Sequence, residues 1–167
     1  MPEPVSEPVI ATLYASPPRR FLGTGMLLLL GGLLIYLALA VPFGPSQIFL
    51  ILAGLLGLFC AMRLHTATAQ VIELTATQLR VQGGIILAEL DTIKKVERGA
   101  FAFKPSNGFL VTLKQKGARR WAPGMFWAFS RKIGVGGVTG APQTKGMAEA
   151  LAILIAERDL KAGIPAK

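Results

Sequence analysis

The sequence predicts two parts in one chain. The first is an α-helical hairpin long enough to span a membrane. The second is an α+β, mainly β domain, an antiparallel sheet or partial barrel closed by one C-terminal amphipathic helix. Three observations carry this reading. Residues 21–62 contain no Asp, Glu, Lys or Arg and are broken once, by Pro42-Phe43-Gly44-Pro45-Ser46. Strand-length apolar runs separated by Gly and Asn-Gly turns occupy residues 71–122. An apolar stripe at helical spacing follows between 144 and 161.

The charge distribution sets the boundaries. The 167 residues carry 18 Lys+Arg against 9 Asp+Glu, a formal net charge of +9. In residues 1–20, Glu3 and Glu7 cancel Arg19 and Arg20, so the whole excess lies beyond residue 62. The chain divides into an N-terminal tail (1–20), a hairpin (21–63) and a basic domain (64–167). With 52% hydrophobic and 16% charged residues it is no charge-rich disordered protein. One Cys and one His exclude an intrachain disulfide and a four-ligand zinc site.

The first uncharged stretch, 21–41, is long enough as a helix to cross the roughly 30 Å hydrocarbon core. The second, 47–62, is slightly short, and Ser46 and the stem of Arg63 extend it. Both must be helical, because backbone polar groups in lipid need partners within their own segment. Arg19 and Arg20 precede the first span, Arg63 and His65 follow the second, and the loop between is uncharged. The positive-inside bias then places both termini in the cytoplasm. The apolar run after Arg19-Arg20 exceeds a signal-peptide core and is followed at once by a second, which argues against cleavage. Cys60 reads as a packed or lipid-facing residue, with S-acylation the alternative. Ala53, Gly57 and Ala61 form a small-residue ladder on the second span. It packs either on Gly25, Gly32 and Tyr36 of the first span or on another membrane protein.

In the basic domain, 71–81 reads as two strands around a Thr75-Ala76-Thr77-Gln78 turn. Gly83-Gly84 makes a tight hairpin turn. Strands follow at 85–90, around Ile93 and Val96, and at 100–103. Pro105-Ser106-Asn107-Gly108 is a turn, and 109–114 alternates as a strand. Gly117 turns the chain into 119–122, and 121–142 is a long loop. The helix at 144–161 takes Thr144 as N-cap and Met147, Leu151, Leu154 and Ile155 as its apolar stripe, with Arg158 at the end of the same row. Gly163 and Pro165 supply the stop.

Several short antiparallel strands followed by a single helix, directly after a two-span hairpin, resemble the pleckstrin-homology-like (PH-like) domains of bacterial membrane proteins. The residues that carry the resemblance are Ile72-Glu73-Leu74-Thr75, Gln78-Leu79-Arg80-Val81, the Gly83-Gly84 turn, and Leu90, Ile93 and Val96. It covers roughly residues 65–160. It implies a binding platform at the bacterial inner membrane rather than a catalytic centre, with no cofactor.

Residues 94–132 contain ten basic residues and one acid, Glu97. Both tryptophans lie there, between paired cations: Arg119, Arg120, Trp121, Phe126, Trp127, Arg131 and Lys132. Indole rings and cations together suit a membrane interface with anionic headgroups. The alternative is that the aromatics are core and the cations merely solvated. Nucleic acid is disfavoured by the short tether and the lack of any recognition signature. Gly134, Gly136, Gly137 and Gly140 precede a helix and form a candidate anion loop. It is not a P-loop, because Ala141 stands where Lys is needed, and no parallel βαβ unit surrounds it. No catalytic or metal set emerges. His65 has no sequence neighbour to act with, and Glu89 and Asp91 are expected to pair with Lys94 or Arg98. The functional expectation is a non-catalytic membrane module binding acidic lipid or a membrane-protein partner, itself or another. The alternatives are an accessory subunit of a larger inner-membrane complex, an energy-converting one included, and, least favoured, an enzyme.

Overall fold

A computed structural model describes residues 7–99 and 105–163. In chain order these are strand β1 (Val9–Leu13), helices α1 (Pro17–Ala40) and α2 (Pro45–Ala67), and strands β2 (Ile72–Thr75), β3 (Gln78–Val81) and β4 (Ile85–Glu89). A single 3₁₀ turn (Leu90–Thr92) leads to β5 (Ile93–Glu97), β6 (Phe109–Leu113), β7 (Arg120–Ala122), β8 (Phe126–Phe129) and β9 (Lys132–Val135). Helix α3 (Ala141–Lys161) follows. The strand expected at 100–103 and the stop at Pro165 lie outside the described residues.

Prolines open both long helices, where the missing N–H has no intrahelical partner to lose. Helix α1 ends at Val41, which is extended because Pro42 follows. Helix α1 runs about 36 Å and α2 about 34 Å at the usual rise, and both are long and apolar enough to cross a membrane. Only 17% and 11% of their most apolar stretches is buried within the protein, unlike the core helix of a soluble protein.

The helices meet along small residues spaced by seven: Thr24, Gly31 and Ala38 on α1, Gly54 and Ala61 on α2. A Cβ on Gly54 would lie 2.6 Å from Ile35 Cγ1, and one on Gly31 would lie 2.9 Å from the Gly54 carbonyl oxygen. This corrects the expected packing surfaces. Gly57 and Ala61 are on the seam, with Gly57 against Gly31, but Gly54 rather than Ala53 completes it. On α1, Gly25 and Gly32 would meet nothing with an added Cβ, and Tyr36 is exposed. Gln47 donates from Nε2 to the Ala38 carbonyl at 3.1 Å, satisfying an end-of-helix acceptor.

Residues 9–13 are not tail. Strand β1 pairs antiparallel with β2, Leu13 opposite Ile72 and Val9 opposite Thr75. The helical hairpin is therefore the connection between two adjacent strands. Thr77 donates to the Glu7 carboxylate at 2.6 Å, and this bond holds the carboxyl below its ordinary range.

One sheet runs β1-β2-β3-β4 and the other β5-β6-β9-β8-β7, with antiparallel neighbours throughout. The 121–142 segment, expected as a loop, is instead a meander. Pro123-Gly124 turns β7 into β8, with Gly124 at φ 78° and the Met125 N–H donating to the Ala122 carbonyl. Ser130-Arg131 turns β8 into β9, with Ser130 at φ 54°.

Leu13, Ile72, Leu74, Leu79, Ile93, Phe109, Met125, Ile133, Met147 and Leu151 form the centre of the core, each at most 1% exposed. Helix α3 starts at Ala141, earlier than expected. Thr144 is inside its first turns, donating to the Gly140 and Ala141 carbonyls. Met147, Leu151 and Ile155 bury the predicted stripe, with Leu154 partly buried beside it. Arg158 extends that row to donate to the carbonyls of Leu90 and Ile93, the latter at 2.7 Å. The hairpin is anchored in this core. Ala15 and Ala67 are part of it, Ser16 N–H donates to the Val138 carbonyl at 2.9 Å, and Arg19 donates to the Thr139 carbonyl at 3.0 Å.

Candidate functional site

The register of β7, β8 and β9 decides which aromatic residues face out. Side chains alternate across a strand, so Trp121, Trp127 and Gly134 share one row on the outer face, with Phe129 and Lys132 in the next. Ala122, Phe126 and Val135 share the inner row. Phe126 is thus a core residue, 6% exposed, and leaves the set of binding candidates. Alternation also puts Arg120 on the face of β7 opposite Trp121.

The remaining residues form a continuous surface. Trp121 is 64% exposed and Phe129 41%. Trp127 is half-buried because its indole lies over Gly134, where a Cβ would fall 2.4 Å from Cε2. The Trp127 and Phe129 centroids are 5.9 Å apart with planes tilted by 34°. The Arg119 guanidinium carbon stands 5.1 Å from the centre of the Phe129 ring, a cation–π contact. Trp121, Trp127, Phe129 and Lys132 line a shallow open groove. Arg131 is exposed at the adjoining turn. Among the described residues none of the ion pairs uses Arg119, Arg120, Arg131 or Lys132.

This surface begins at the base of the hairpin. Trp121, Ala122 and Pro123 share a cleft with Arg63, Thr66, Ala67 and Gln70 at the end of α2. A Cβ on Gly124 would lie 3.2 Å from Leu64 Cδ1 and 3.3 Å from Thr68 Cγ2, so the β7–β8 turn sits on the last turn of α2. Phe129 and Arg63 were not among the sequence candidates. The Trp127-x-Phe129 alternation could have found the first. Nothing local pointed to the second, which reaches the site through a fold contact.

The glycine segment is not an anion loop. Its N–H groups at 136, 137 and 138 already donate to the carbonyls of Met125, Ser106 and Gly124. Gly134 lies within β9 under an indole, and Gly140 is the N-cap of α3. Gly136 and Gly137 hold φ of 138° and 125° and press on Gly108 and Gly124, so their role is close backbone packing.

The other polar candidates are placed as follows. The Arg20 Nη2 lies 3.3 Å from His65 Nε2 and donates to the His65 carbonyl at 3.2 Å. The expected carboxylate pairing is replaced. Arg98 reaches Glu149 at 3.4 Å and Lys95 reaches Glu97 at 2.8 Å, while Glu89 and Asp91 take no ion pair among the described residues. Cys60 is exposed on α2. No group of three His, Cys, Asp or Glu side chains gathers among the described residues. No family model, curated protein or solved structure matches the chain.

Proposed function

We propose that this protein is a non-catalytic integral membrane protein whose PH-like β-domain presents a basic aromatic face to anionic lipid headgroups. The membrane is the one its own hairpin enters, the bacterial inner membrane, with both termini in the cytoplasm. The observation that carries the reading is Trp121. A 64% exposed indole stands beside Arg63 at the end of a membrane-length helix, next to three cations with no carboxylate partner among the described residues. An indole gains at headgroup depth, and each near-surface cation adds about 1 kcal/mol at an anionic leaflet. Arg119, Arg131 and Lys132 together contribute roughly 3 kcal/mol on that scale. The pairing of β1 with β2 supports one side for both ends of the hairpin. Antiparallel sheets closed by a C-terminal helix support the PH-like reading. The reading as an accessory subunit of a larger complex has less support, because the ladder that would dock a partner is largely consumed between α1 and α2.

The test uses the full chain with Trp127→Phe, which leaves Trp121 as the sole indole. In proteoliposomes containing phosphatidylglycerol its emission is expected to shift to the blue and to be quenched by brominated lipid. Arg131→Glu with Lys132→Glu, or high salt, should reverse both effects. Identical spectra in anionic and purely zwitterionic membranes would overturn the proposal.

A further inference from the structure

At their basic end the two long helices leave an open groove along one side of their seam. Gly25 has no side chain, and a Cβ placed there would meet nothing within 4 Å. The resulting groove is walled by Phe21 and Leu28 of α1 and by Leu58 and Met62 of α2, with His65 at its mouth. From Phe21 to Leu28 is two helical turns, about 10 Å, so the groove runs from the level of the arginines into the apolar belt.

Its polar groups are incompletely satisfied. Thr24, 8% exposed, lines the groove, and its Oγ1 has no hydrogen-bond partner among the described residues. Arg20 contacts His65 through Nη2, but its Nε is buried without an acceptor. No carboxylate pairs with Arg19, Arg20 or Arg63 among the described residues. A buried guanidinium N–H left without an acceptor is costly, and an anion there relieves it. The order of chemistry is cationic and hydrogen-bonding at the mouth, apolar below. That order matches an acidic amphiphile, of which a glycerophospholipid is the abundant bilayer class. Arg20, packed on His65 at the mouth, selects a net-negative headgroup over a zwitterionic one, whose amine would find no partner.

We propose that this groove holds one anionic glycerophospholipid, its phosphate on Arg20 and His65 and one acyl chain along Gly25. The inference rests on the reading that the hairpin spans a bilayer, and it is independent of the aromatic face on the β-domain.

The experiment is native mass spectrometry of the full chain, released from nanodiscs containing equal phosphatidylglycerol and phosphatidylcholine. One retained phosphatidylglycerol is expected for the wild type. Gly25→Leu, which fills open space, and Arg20→Gln should each reduce retention about tenfold with helical content unchanged by circular dichroism. Equal retention in wild type and variants, no retained lipid, or no preference for phosphatidylglycerol would overturn the groove site. Carbonate extraction of membranes separates the two readings. Release of the chain would remove the bilayer-spanning reading and the site with it, whereas a chain that stays embedded but shows no lipid preference removes only the site.

Discussion

Leu13→Ala tests whether the N-terminal segment belongs to the β-domain. Leu13 is fully buried on β1, opposite Ile72 on β2. Truncation deletes the apolar groups beyond Cβ, about 2 kcal/mol of transfer free energy at ~0.8 kcal/mol per methylene. The neighbours Ile72 and Leu74 are held in a hydrogen-bonded ladder and cannot collapse fully into the gap. A cavity contribution is therefore added, for a loss of roughly 3 kcal/mol. For a domain of about this size each kcal/mol lowers Tm by about 4–8 °C, so the shift should be on the order of 15 °C. Thr12, one residue earlier and exposed, is the control, and Thr12→Ala should stay within about 0.5 kcal/mol. The assay is thermal unfolding of the full chain in mild detergent. Near-ultraviolet circular dichroism of the tryptophans is the signal, because both indoles lie in the β-domain. Indistinguishable melting of Leu13→Ala and Thr12→Ala would refute the placement of β1.

Two further substitutions probe the site and its support. Gly134→Ala puts a methyl where the Trp127 indole lies, 2.4 Å from Cε2, so the ring must leave; overpacking costs about 1–3 kcal/mol, and an unchanged tryptophan emission spectrum would contradict the contact. Arg158→Leu removes the guanidinium that donates to the Leu90 and Ile93 carbonyls, of which Leu90 keeps the Ile93 N–H; at about 1–3 kcal/mol for a buried acceptor that loses its donor, the urea midpoint should fall with an unchanged slope, and an unmoved midpoint would show that the bonds do not hold α3 to the bend before β5.

Features announced by a local signal were legible. Both long helices follow from the absence of charge over residues 21–62, and their break from two prolines and a glycine. The strands from Ile72 to Glu97 and the buried face of α3 follow from apolar alternation and from a helical stripe. What escaped was set by partners distant in sequence. Val9-Ile10-Ala11-Thr12-Leu13 is rich in β-branched residues but lacks the apolar–polar alternation of a half-buried strand, and it pairs where β2 offers an edge. The β8–β9 turn uses Ser130-Arg131, neither Gly nor Pro, so the meander resembled a loop. The glycines at 134, 136 and 137 suggested an anion loop, but they are glycines because Trp127, Gly108 and Gly124 lie where side chains would go. The hairpin seam runs through Gly57 and Ala61 as expected but takes Gly54 in place of Ala53, and on α1 it runs through Thr24, Gly31 and Ala38 instead of Gly25, Gly32 and Tyr36. A four-residue ladder and a seven-residue seam share Gly57 and Ala61, and only the partner helix distinguishes them.

The insertion of the hairpin between paired strands constrains how the proposed platform sits. A flexible tether would let a domain sample many orientations, and a weak headgroup contact would then have to order it on every encounter. Here both helices enter the domain through short joints: hydrogen bonds from Ser16 to Val138 and from Arg19 to Thr139, and packing of the end of α2 under Gly124. The orientation of the domain relative to the helix axes is set by the fold, so little entropy remains to be lost when Trp121 meets the interface. For a hairpin standing in a bilayer, the face beside Arg63 is held near the leaflet, and headgroup contact decides whether Trp121 enters the interface. Specificity then rests on the charge of the leaflet acting on Arg119, Arg131 and Lys132, and not on recruitment from solution. That is why the informative comparison is anionic against zwitterionic membrane with the chain already inserted in both.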